Sequence, residues 1–119
     1  MKKIIRCLVT GVLAVMPILS FATVIPFNKS DCAALAMPKT VILVHASWCS
    51  HCRSFMPTYQ KVSDLKKYSD WTFYAVENNE FEKICGTPIY GVPATFKNNM
   101  KSVLPGNKPQ AMLENFLDR

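Results

Sequence analysis

The stretch Val41-Ile42-Leu43-Val44-His45-Ala46-Ser47-Trp48-Cys49-Ser50-His51-Cys52 decides the fold. Its first half is β-branched and apolar with no polar alternation, the pattern of a central strand covered by helices on both faces. Its second half sets two thiols, with two residues between them, at the mouth of a new helix. Thiols so spaced close a small reversible disulfide, and a helix N-terminus stabilises one of them as a thiolate. The pattern is that of redox chemistry at the end of a buried strand.

Working outward, residues 49–68 read as one long helix. Cys52, Phe55, Met56, Tyr59, Val62 and Leu65 recur at spacings of three and four, while Arg53, Lys61, Asp64 and Lys67 mark another face. Pro57 inside it predicts a kink. Upstream, residues 23–27 are β-like, and Ser30 is placed to cap a brief helix over 31–37 before Pro38 breaks the chain. Downstream come a strand over 71–76 and a short helix over 78–85, ended by Gly86 and Pro88. A hairpin follows, with strands 94–97 and 100–104 about Asn98-Asn99. A last helix over 109–117 turns Met112, Leu113, Phe116 and Leu117 inward.

The 119 residues, 50% hydrophobic and 18% charged, suit one globular domain. The first 22 differ in character. Lys2, Lys3 and Arg6 make a positive start, residues 8–19 are mostly apolar, and Ser20-Phe21-Ala22 offers small residues at a cleavage site. Residues 1–22 are therefore read as a secretory signal peptide cut after Ala22, leaving a domain over 23–119. The competing reading is a retained membrane anchor, for which an apolar stretch of about 16 residues falls short of the ~20 needed to span. Removing the leader takes three positive charges from the formal +6 and no acid, leaving +3. The remaining lysines are scattered, which excludes a nucleic-acid footprint. Cys7 leaves with the leader, and four cysteines, Cys32, Cys49, Cys52 and Cys85, remain in an oxidising compartment. An even number permits two disulfides.

Trp48 before the Cys49-x-x-Cys52 pair, Pro57 five residues after it, Gly91-Val92-Pro93-Ala94-Thr95-Phe96, and Gly106 before the last helix stand together in order. In these features the chain resembles the thioredoxin superfamily over nearly all of residues 23–119. The resemblance implies an α/β fold: a mixed four- or five-stranded sheet flanked by helices on both faces, with Pro93 in cis beside the dithiol. It implies a redox-active disulfide between the catalytic Cys49 and Cys52, and client contacts at Trp48, Val92 and Pro93. Cys49 at the exposed helix start is the attacking thiol and Cys52 the resolving one. His51, when protonated, tunes the Cys49 thiol below its unperturbed ~8.5; the alternative is a solvated helix residue.

His51 and Val92 resemble the disulfide-donating DsbA-type oxidases and the isomerases. The immediate passage from residue 68 to the strand at 71 leaves no room for the DsbA-type helical insertion. The buried aspartate and lysine of cytosolic thioredoxin are replaced by Leu43 and about Phe73, so the group that deprotonates Cys52 comes from elsewhere: through water, from a client, or from His45, which stands in place of a family aromatic and whose alternative role is core packing. In the resembled fold Cys32 and Cys85 lie on one side of the sheet, which makes a structural disulfide geometrically plausible; the alternative is two free thiols.

The expected function is thiol-disulfide exchange with protein thiols or disulfides, in the periplasm or another secretory compartment, by a monomer. No cofactor and no metal are called for, and a redox partner, for instance a membrane electron carrier, resets the dithiol. Donor or reductase direction stays open. So do two other classes: a metal-binding module using the CxxC with His45, His51, Cys32 or Cys85, and a noncatalytic adaptor binding through the Val92-Pro93 edge.

Overall fold

The computed structural model describes residues 24–119, so the leader expected over 1–22 lies outside the described residues. The strands are β1 (Val24–Pro26), β2 (Thr40–His45), β3 (Thr72–Glu77), β4 (Ala94–Lys97) and β5 (Ser102–Pro105). They form a five-stranded sheet in the order β1-β3-β2-β4-β5. Strands β1 and β2 each pair parallel with β3, while β4 runs antiparallel to both β2 and β5. The helices are α1 (Ser50–Ser63), α2 (Asn78–Cys85) and α3 (Gln110–Asp118).

Alternate residues of a strand face opposite sides of its sheet, and β2 carries a core on each. Val41 and Leu43 enter one apolar cluster with Phe73, with Phe55, Tyr59 and Val62 of α1, and with Leu113, Phe116 and Leu117 of α3. Ile42 and Val44 enter the other with Tyr74 and Val76, Leu35, and Phe81 of α2. Burying one such side chain contributes roughly 1.5–3 kcal/mol. The apolar residues of α1 thus meet the sheet along one stripe, as their spacing requires. The buried Tyr59 hydroxyl donates to the Tyr74 carbonyl at 2.6 Å, and burial pushes this phenol well above its ordinary value, so it remains a donor.

Four expectations need correction. The helix expected over 49–68 stops at Ser63; Leu65 is extended, and Lys66–Tyr68 forms a 3-10 turn. That break lets Tyr68 turn into the core, where it is 2% exposed and donates its hydroxyl to the Asp118 carboxylate at 2.8 Å. The brief helix over 31–37 is two 3-10 segments, Lys29–Asp31 and Ala33–Ala36. Asn28 rather than Ser30 precedes them, its amide donating to the Asp31 carboxylate at 2.8 Å. The second hairpin strand begins at Ser102 instead of residue 100, because Asn98, Asn99 and Met100 all take positive φ and carry the turn further. Met112 is 45% exposed rather than inward, since Leu113 and Phe116 take the buried stripe of α3. By contrast α2 spans the expected residues and ends on Gly86 in the left-handed region, φ 75°, a conformation glycine adopts without penalty.

Cys32, between the two 3-10 segments, is disulfide-bonded to Cys85 at the end of α2, with Cα atoms 5.8 Å apart. The bond ties the segment after β1 to the helix after β3 on one face of the sheet. Closing 53 residues of chain removes loop entropy from the unfolded state, worth about 4 kcal/mol in the chain-entropy treatment. Replacing Cys32 and Cys85 together by serine should lower the unfolding free energy by about that amount, read from the urea midpoint. An unchanged midpoint would show that the bridge adds nothing.

Candidate active site

Strand β2 ends at His45, and the amide of Cys49 donates to the Ala46 carbonyl at 3.2 Å, closing the turn that feeds α1. Cys49 is the N-cap, extended at φ −95° and ψ 108°, and its side chain accepts the amide of Cys52. That N–H to Cys49 Sγ distance is 3.1 Å. The sulfur therefore occupies the place where a serine or aspartate oxygen usually satisfies a free helix-start amide. Cys49 and Cys52 are joined in a disulfide, with Cα atoms 5.2 Å apart.

When the bond is reduced, the donated amide and the helix dipole both favour negative charge on Cys49 Sγ. One group opposes them. The Val92 carbonyl oxygen lies 3.7 Å from the same sulfur. In the disulfide this is a contact without a proton; in the dithiol it is an acceptor for the protonated thiol.

The sequence places Cys49 at an exposed end, whereas the closed disulfide leaves it 6% exposed and Cys52 3%. The reason is local packing: Ala46, Cys49 and Cys52 form one small apolar cluster covered by Val92. The Val92–Pro93 peptide bond is cis, and the Pro93 carbonyl accepts the Gly106 amide at 2.8 Å. Two large aromatic residues near these segments in the sequence are exposed. Trp48 is 69% exposed and Tyr90, two residues before Val92, is 87% exposed. Tyr90 did not figure among the expected site residues, although a large aromatic directly before Gly91-Val92-Pro93 was the available signal. His51 is exposed on the first turn of α1.

Leu43, in the place of the familiar buried carboxylate, is fully buried, and Phe73 is 1% exposed; both sit in the apolar cluster beneath α1. His45 is half-buried, and burial holds its imidazole below the ordinary value, while Glu77 pulls the other way. Cys32 lies in the other cluster, bonded to Cys85. Among the described residues no three His, Cys, Asp or Glu side chains gather as metal ligands, the grouping that a metal module needs.

The thioredoxin family model matches residues 26–119. The chain belongs to the thioredoxin family. A Dictyostelium discoideum protein bearing a thioredoxin name is 26% identical over 100 residues, 79% of this chain and 94% of its own length. Among solved structures, Malassezia sympodialis thioredoxin superposes with a TM-score of 0.64 at 20% identity, covering 86% of this chain and 96% of that one. Oxidised Plasmodium falciparum thioredoxin gives 0.62 at 20% identity, covering 80% and 95%. These structural likenesses establish the shared fold. Members of the thioredoxin family are generally thiol-disulfide oxidoreductases acting on protein disulfides.

In the reduced protein, the amide at Cys49 Sγ should make that thiol the more reactive. Each unit by which a thiol's pKa falls below the unperturbed ~8.5 ionises it about tenfold more at pH 7. Limiting iodoacetamide at that pH is expected to alkylate Cys49 about tenfold faster than Cys52, counted by peptide mass spectrometry. Equal labelling of the two would contradict the geometry.

Proposed function

We propose that this chain is an exported thiol-disulfide oxidoreductase that exchanges disulfides with protein clients through Cys49 and Cys52. The observation that carries the reading is the Cys49–Cys52 disulfide capped by the Cys52 amide at the start of α1. Cys49 is the sulfur that forms the mixed disulfide, and Cys52, one turn into the helix, resolves it. His51, on the same first turn, stabilises the Cys49 thiolate when its imidazole is protonated.

The exposed rings of Trp48 and Tyr90 offer an extended client apolar contacts and Val92, packed on the sulfurs, offers it backbone groups, while Pro93 is buried and its carbonyl is taken by the Gly106 amide. Because both sulfurs are sunken, a client must press its own disulfide or thiol inward to reach Cys49. A folded globular disulfide is a poor fit; an exposed, extended segment is a good one.

Export rests on the leader-like residues 1–22 and on the second disulfide, Cys32–Cys85, a bond that persists in oxidising compartments. In such a compartment the dithiol must be reset by another protein, for which a membrane electron carrier is the fitting class. The direction of net electron flow follows from the potential of the pair relative to that partner. A change of ~30 mV is about 1.4 kcal/mol, so modest tuning of the Cys49 thiolate decides it.

The test is covalent capture. In Cys52→Ser, clients attacked by Cys49 cannot be released by the resolving thiol, so reducible mixed-disulfide adducts should accumulate on non-reducing gels. Cys49→Ser should abolish them, and His51→Ala should slow their formation, most at pH values where imidazole is protonated. Adducts that persist without Cys49, or none in Cys52→Ser, would overturn the reading.

A further inference from the structure

Beside Cys52, the residues His45, Ala46, Ser47, Cys52, Arg53 and Met56 line a solvent-open pocket of about 220 Å³. That is many times the roughly 10–15 Å³ of accessible volume one water needs; the walls are largely apolar, and the polar side chains among them are those of His45, Ser47 and Arg53. The pocket matters because of what Cys52 has to do. A thiol attacks a disulfide only as thiolate, and burial of a residue 3% exposed disfavours that ion. A base is therefore required, and the buried positions beneath, Leu43 and Phe73, supply none.

Two titratable side chains other than Cys52 line the pocket. Arg53 is permanently protonated, and its Nη1 donates to the Ser47 carbonyl at 2.9 Å. That leaves His45. From β3, Glu77 stands opposite it in register; from β4, the pairing reaches Val44 with Ala94 and brings no titratable group; from α1 come Arg53 and Cys52.

We propose that His45 moves the proton of Cys52 through water held in this pocket. The inference rests on the exchange reading above, in which Cys49 first carries the client as a mixed disulfide. A water passes the Cys52 Sγ proton to neutral His45, and the Cys52 thiolate attacks Cys49 Sγ. The Cys49–Cys52 bond forms, the bond from Cys49 to the client sulfur breaks, and that sulfur leaves with the electron pair. His45 returns its proton to water, and the client thiolate takes one from solvent. Two electrons have passed from the dithiol to the client. In reverse a client thiolate attacks Cys49, and Cys52 departs as a thiolate that receives its proton from the His45 imidazolium. Burial keeps the imidazole neutral at pH 7, with Glu77 limiting the shift, so the acceptor form is the populated one. His45 thus acts on Cys52 through water, as a proton-positioning residue.

Single-turnover reaction of the reduced full chain with an aromatic disulfide that releases a coloured thiol separates the two sulfurs. The first release reports attack by Cys49 and the second reports resolution by Cys52. With His45→Asn, the second phase should slow about 100-fold at pH 7, the low end for lost acid-base assistance. Between pH 5 and 9 it should lose its inflection below pH 6.5 and follow thiol ionisation alone, while the first phase stays within about twofold. Added imidazole should restore the second phase in His45→Ala. A second phase unchanged in rate and pH profile, or slowed equally at every pH without rescue, would overturn the role of His45. Absence of a first phase in the unsubstituted protein would instead overturn the exchange reading.

Discussion

A strand with no solvent face fixes everything else in this molecule. Strand β2 lies between β3 and β4, and its alternate residues Val41 and Leu43, Ile42 and Val44 are buried in two separate cores. Each core is closed by helices, and the chain leaving β2 turns into α1 beyond the C-terminal end of the strand. Cys49 and Cys52 stand at that turn, and the Cys52 amide in the first turn of α1 donates to the Cys49 sulfur. The redox site is thus a consequence of where a buried strand has to end.

The same constraint explains how the site is covered. The antiparallel pairing of β4 with β2 ends at Val44 and Ala94, which brings the residues just before Ala94 beside the disulfide. Val92 packs on the sulfurs and Pro93 is locked by the Gly106 amide from beyond β5. The Cys32–Cys85 bridge acts on the opposite core, where two short 3-10 segments offer little packing of their own. Its contribution is to hold that thin layer against α2, away from the reacting sulfurs.

Much of this was legible in the residues. The unbroken apolar run of β2, the CxxC after it, the bounds of α2 and the hairpin at Asn98-Asn99 all follow from local rules of burial, capping and turn chemistry. What sequence reading missed depends on tertiary contacts. The helix over 49–68 has an apolar period to its end, yet Tyr68 gains more by turning into the core beside Asp118 than by continuing it. Met112 has the right spacing for the core, but α3 meets the sheet along Leu113, Phe116 and Leu117. The sequence left His45 between core packing and a part in deprotonating Cys52, and the placement of Arg53 and Cys52 around one pocket gives the second reading its setting. Cys49 was placed at the surface by its helix position, while Val92, distant in sequence, covers it.

The most direct test of the account is the equilibrium reduction potential of the Cys49–Cys52 pair. It is measured by titration in glutathione buffers, with the fluorescence of Trp48 and mass-resolved thiol alkylation as readouts. The account predicts a single two-electron transition of this pair between about −270 and −120 mV, with Cys32–Cys85 remaining bonded throughout. A Cys49–Cys52 bond that stays closed below about −300 mV would be a structural cross-link, and the exchange site described here would not exist.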